Sequence, residues 1–129
     1  MRNRYDSIEP YRTKDGCEIR ELMHPQVHGN CNQSFAEATI APHAKTTLHR
    51  HCISEEIYHI TSGIGVMTLA DRDFTVASGD TVCIPPGTAH CVANTGDAPL
   101  KIICACSPAY SHPCWHFLSL PRMHRASRR

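Results

Sequence analysis

The chain has 129 residues, 41% hydrophobic and 19% charged, with a formal net charge of +1. That length suits one domain with its own core, the near-neutral charge gives no electrostatic ground for a nucleic-acid partner, and no stretch approaches the roughly 18 apolar residues of a membrane span. The polar start MRNRYDSIEP shows neither secretion signal nor anchor, so a cytoplasmic location is expected, with the eight cysteines reduced and mostly buried as small hydrophobes.

Proline and glycine recur at short intervals, and the segments between them favour alternation and β-branched residues over a 3.6-residue period. Strands are expected near 17–23, 33–41, 46–51, 55–61, 64–70, 73–76, 81–84, 89–94 and 99–106. Hairpin-like breaks separate them at Thr61–Gly65, Ala70–Arg72, Ser78–Asp80, Pro85–Gly87 and Asn94–Asp97, rich in residues that turn the chain. The pattern predicts an all-β, antiparallel barrel or sandwich over residues 1–110. Residues 111–129, with four arginines and no acid from Arg122 onward, form a capping or flexible basic tail.

Ten histidines are many for this length, and histidine is the commonest protein metal ligand. His49 and His51 are two apart on a predicted strand, so both side chains leave one face and can converge on an ion. Glu56 opens the next strand, where an antiparallel return brings its carboxylate opposite the imidazoles. Two histidines and a carboxylate leave coordination positions open, as in non-haem iron centres. By alternation Tyr58 shares the face of Glu56, a phenol within reach of the ion, while Glu55 and His59 point away. A second cluster, Cys104, Cys106, His112, Cys114 and His116, lacks the ligand gaps of familiar zinc knuckles, so Cys104 and Cys106 are expected to line the cavity instead.

Read onward, HRHCISEEIYHITSG and GDTVCIPPGTAHCVAN resemble the two motifs of the cupin family, G(x)5HxH(x)3–4E(x)6G and G(x)5PxG(x)2H(x)3N. His49, His51, Glu56 and Gly63 fall on the first; Gly79, Pro85, Gly87, His90 and Asn94 fall on every fixed position of the second. His43 stands where the first motif opens with glycine, at a turn where histidine tolerates left-handed backbone better than branched residues do. Between the two adjacent acids, the spacing to Gly63 selects Glu56.

The resemblance implies a jelly-roll barrel, the double-stranded β-helix. It implies that His49, His51, Glu56 and His90 hold one divalent metal ion, whether Fe, Mn, Ni, Co, Zn or Cu, with Asn94 serving as a turn residue; Tyr58, placed near the ion by strand alternation, is expected to assist catalysis as a hydrogen-bond donor or acid. It also implies a homodimer, through exchange of N-terminal strands, and a small-molecule substrate. The expected function is metal-dependent chemistry on a small organic molecule, with iron dioxygenation slightly favoured. Redox-neutral isomerase, lyase or cyclase chemistry and non-catalytic ligand binding are the alternatives.

Overall fold

A computed structural model describes residues 1–110. The expectations for the tail, including His112, Cys114 and His116, lie outside the described residues. A 3-10 turn at Tyr5–Ser7 leads into β1 (Tyr11–Arg12) and β2 (Glu18–Met23). A single helical turn, α1 (Pro25–His28), follows; His24 caps it by accepting from the Gln26 amide, and Gly29 closes it in the left-handed region. The remaining strands are β3 (Ser34–Ile40), β4 (Glu55–Ser62), β5 (Ile64–Leu69), β6 (Arg72–Ala77), β7 (Thr81–Ile84), β8 (His90–Asn94) and β9 (Leu100–Ser107).

All strand pairings are antiparallel, and they make two sheets in the orders β1-β2-β3-β9-β4-β7 and β6-β5-β8. Strict alternation on β4 turns Glu56, Tyr58 and Ile60 inward and leaves Glu55, Ile57 and His59 exposed. Ile40, Ile60, Leu100 and Ile102 from the larger sheet join Met67, Val76 and Val92 from the smaller one in a core that closes part of the space between them.

Two expectations are corrected. Residues 46–51 are not a strand. The segment follows β8 through isolated bridges at Lys45–Ala93 and His49–His90. Side chains take ladder partners there: the Thr46 hydroxyl accepts from the Val92 amide (3.0 Å), and the Asp15 carboxylate accepts from the Thr47 amide (2.8 Å). Secondly, several breaks are not hairpins. Gly63 leads from β4 in the larger sheet to β5 in the smaller, and Gly79 leads back from β6 to β7. Gly63 adopts φ +96°, and a Cβ on it would meet the Pro99 carbonyl oxygen at 2.8 Å, so both conformation and space demand glycine.

The left-handed turn expected at His43 is present, with φ 63°. Of the cysteines, Cys17, Cys91 and Cys106 are buried thiols as expected, Cys31 and Cys83 are exposed, and Cys52 is disulfide-bonded rather than reduced.

Gly65 lies within β5 opposite Asn94, and a Cβ on it would sit 2.4 Å from the Ala93 carbonyl oxygen and 3.0 Å from Leu100. The obstructing atom is backbone inside a ladder, so it cannot swing aside. Gly65→Ala is expected to cost about 2–3 kcal/mol or more, read from the urea midpoint; an unchanged midpoint would show that β5 and β8 part easily at this point.

Candidate metal centre

The three histidines reach one point by different routes. His49 and His51 come from the connection between β3 and β4, and His90 opens β8. The connection is docked to β8 at this level, where the His49 amide donates to the His90 carbonyl (3.1 Å) and the His90 amide donates back (2.8 Å). The His49–His90 ring centroids are therefore only 4.3 Å apart, with His51 at 5.3 Å from His49 and 5.5 Å from His90. A ring nitrogen from each lies within 4.8 Å of the other two.

Backbone carbonyls set the tautomers. His49 Nδ1 is 2.8 Å from the Thr47 carbonyl and His90 Nδ1 is 3.0 Å from that of Thr88. A carbonyl only accepts, so each Nδ1 carries the proton, and each Nε2 presents a lone pair. Both histidines use the residue two positions before them, a threonine in each case.

Glu56 completes the group. Its Oε1 lies 3.1 Å from His51 Nε2, as a hydrogen bond, and 3.3 Å from His90 Nε2. The second contact is short enough for an ion pair yet misaligned for a hydrogen bond, and among the described residues His90 Nε2 is left buried without a hydrogen-bond partner. His90 is 0% exposed. An unprotonated nitrogen facing a carboxylate oxygen in a buried site is a pair of acceptors awaiting a cation, so the donor set fits a divalent ion. Three imidazole nitrogens and one carboxylate suit Fe, Mn, Co, Ni, Cu or Zn.

Burial favours the neutral forms of both groups, but the partners of Glu56 win. Although desolvation pushes its carboxyl up, the hydrogen bond from His51 and the close approach of the His90 ring bring it down to about 2. Desolvation first, then the neighbouring His90, lowers the His49 imidazole to about 4.

The sign of the resulting pH dependence follows. With an ordinary value of 6.5, the unfolded His49 takes up its proton before the folded one does, so its stability contribution is complete above pH 6.5 and lost as pH falls to about 4. That loss is about 2 kcal/mol after allowance for partial exposure. Glu56 extends the decline: its contribution is present above 4.5 and lost towards 2. Chelator-treated protein is thus expected to unfold at lower urea concentration at pH 4.5 than at pH 7, with His49→Asn flattening the difference; equal midpoints for the unsubstituted protein would contradict this.

The group opens into a cavity of about 350 Å³ between the sheets. Ala38, Ile40, Val92 and Ile102 supply apolar wall, with Cys104 and Cys106 where alternation on β9 placed them. Tyr58 sets its ring edge-on to His90, centroids 5.8 Å apart. Burial, and secondarily the Glu56 charge, push its phenol well above the usual range, so it keeps its proton. Glu55 and His59 stay on the outer face as expected. Asn94 is likewise no part of the ligand group: its Nδ2 donates to the Ile40 and Ala98 carbonyls, and its Oδ1 accepts from the Gly96 amide, each at 2.9 Å.

Sequence reasoning missed two wall residues. Tyr110 stands edge-on to His51, centroids 5.3 Å apart, and is anchored by its amide on Ser34 Oγ (2.7 Å) and its carbonyl on His24 Nε2 (2.9 Å). Asp15 fastens the β1–β2 loop to Thr47, whose carbonyl orients His49. Neither residue leaves a spacing signal in the sequence.

The model for the cupin domain matches residues 36–106, more than half of the chain and all four candidate ligands. The chain belongs to the cupin family. An uncharacterized protein of Methanocaldococcus jannaschii is 51% identical over 112 residues, covering 87% of this cupin and 90% of the relative. Among solved structures, a predicted oxalate decarboxylase from Thermotoga maritima superposes with a TM-score of 0.76 at 26% identity, over 84% of this cupin and 99% of that chain. The polyketide cyclase RemF from Streptomyces resistomycificus shares the fold, with a TM-score of 0.75 at 17% identity over 89% and 83% of the two chains. Among the described residues no helix is long and apolar enough to cross a membrane.

Proposed function

We propose that this cupin is a metal-dependent enzyme acting on a small organic molecule at one divalent ion held by His49, His51, Glu56 and His90. The observation that carries this reading is the buried, unpartnered Nε2 of His90, aimed at a carboxylate and beside two further imidazoles. A bound ion supplies Lewis acidity to an oxygen donor and, if it is iron, a position for O2.

The chain's own residues set what enters. A cavity of about 350 Å³ lies at the small end of ligand pockets and admits a compact molecule. Its apolar walls on β3, β8 and β9 receive the carbon skeleton and exclude water, which leaves the oxygen donors of the substrate facing the histidines. Tyr58 keeps its proton beside His90 and offers it as a hydrogen bond to charge developing on the substrate.

The same site serves oxygenation or redox-neutral chemistry. The dioxygenase reading is supported by an imidazole and carboxylate ligand set that would leave positions open on iron. The redox-neutral reading, cleavage or rearrangement next to a polarised carbonyl, is favoured by the likeness to a protein named as a predicted oxalate decarboxylase. Assays of the iron- and manganese-loaded protein on small carboxylic acids, diketones and phenols, with and without oxygen, decide between them. Turnover that needs oxygen and iron supports the first; turnover under nitrogen supports the second. Tight binding of such compounds with no turnover under any metal would overturn the catalytic reading.

We also propose that the protein works as a homodimer. Phe35, Ala105, Ile57 and Cys83 lie side by side across the outer face of the larger sheet, and Phe35 and Ile57 are each 41% exposed. A second copy covering that row accounts for it. Light scattering of the protein and of Ile57→Glu tests this, the substitution being expected to yield monomer.

A further inference from the structure

Cys106 occupies a place that the four-ligand reading leaves without a role. It sits on β9 directly opposite Glu56 on β4, on the inner face, and is 3% exposed. Its Sγ, a ring nitrogen of His51 and a carboxylate oxygen of Glu56 all lie within 4.8 Å of one another. It is a free thiol. Two groups able to hold an ion thus overlap at His51: one of three imidazoles, the other of nitrogen, oxygen and sulfur. Ligand atoms held tetrahedrally at about 2.0–2.3 Å from one ion stand roughly 3.3–3.8 Å apart, so closure by at most about 1.5 Å would bring sulfur onto the metal.

From this geometry, and resting on the metal centre proposed above, we infer that Cys106 is a sulfur ligand of that centre when the ion is thiophilic. The site then offers zinc or cadmium a mixed nitrogen, oxygen and sulfur set beside the three-imidazole set that suits harder ions. On binding, the S–H bond is replaced by a sulfur–metal bond and the proton leaves to solvent; no electron changes hands. Cys104, two residues back on the same face, belongs to neither group.

Cobalt(II) reports the ligand directly. Cobalt-loaded protein is expected to show near-ultraviolet sulfur-to-metal charge-transfer absorption that persists in Cys104→Ser and disappears in Cys106→Ser. The same Cys106→Ser change is expected to lower cadmium affinity by about tenfold or more, at least the effect of losing a residue that merely supports a ligand, while leaving manganese affinity within a few-fold. Because a serine at this buried position can disturb folding, X-ray absorption on the unsubstituted cadmium protein gives an independent count of sulfur neighbours, expected to be one. Cobalt bound without sulfur, or absorption that follows Cys104, overturns this inference and leaves the metal centre standing. Failure of the protein to take up cobalt at all overturns both.

Discussion

Replacing His90 with alanine is expected to lower affinity for a divalent ion by more than about 100-fold, since even partners that merely orient a ligand are worth 10–100-fold. Its effect should exceed that of the other histidines because it is the ligand the protein has prepared most completely. Its ring is fully buried, its Nδ1 proton is committed to Thr88, and its Nε2 has no hydrogen-bond partner among the described residues. Competition against a chromophoric chelator measures the loss. A thermal readout runs in parallel: an ion at 100 times its dissociation constant stabilises the folded state by about 2.7 kcal/mol, several degrees in Tm for a domain of this size. The variant should show no such rise. If metal content and the thermal shift survived in His90→Ala, the ligand set would be wrong and the proposed function would fall with it.

Asn94→Ala is expected to be the most destabilising single change outside the ligand group, at about 3–5 kcal/mol. The side chain is 2% exposed and satisfies three backbone groups at once, the carbonyls of Ile40 and Ala98 and the amide of Gly96. Truncation strands all three, at about 1–3 kcal/mol for each that water cannot reach. Asn94→Asp should be no milder, because it turns the shared donor into a charged acceptor facing two carbonyl oxygens. Urea unfolding of both variants checks the prediction, and a loss under 1 kcal/mol for either would show that the loop rearranges to find other partners.

That His49, His51, Glu56 and His90 meet at one point was legible because the motif spacing is a local quantity. The interval from His49 to Glu56, and that from Gly79 to His90, encode how far the chain travels before it returns to the same level of the barrel. Alternation on β4 and β9 likewise identified the inward residues, Glu56, Tyr58, Cys104 and Cys106, without knowledge of their partners. Strand order was not legible. β9 inserts between β3 and β4, so Ala38 meets Ile102, a choice made by distant surfaces rather than by neighbours in sequence. The strand expected over 46–51 failed for a related reason: its alternation was sound, but Thr46 and Asp15 side chains claim bonds that a ladder would use. β1, only two residues long, and Tyr110, set by contacts with His24 and Ser34, leave no periodic trace at all.

His90 belongs to the three-stranded sheet and Glu56 to the six-stranded one, with His49 and His51 on the β3–β4 connection docked to β8. An ion bound to all of them is a rivet through both halves of the barrel. Ligand release and separation of the halves then become one event, so a chelator in large excess should strip the protein no faster than the barrel breathes. Metal identity in the cell would be decided when the chain folds, by whichever ion is at hand, and kept thereafter.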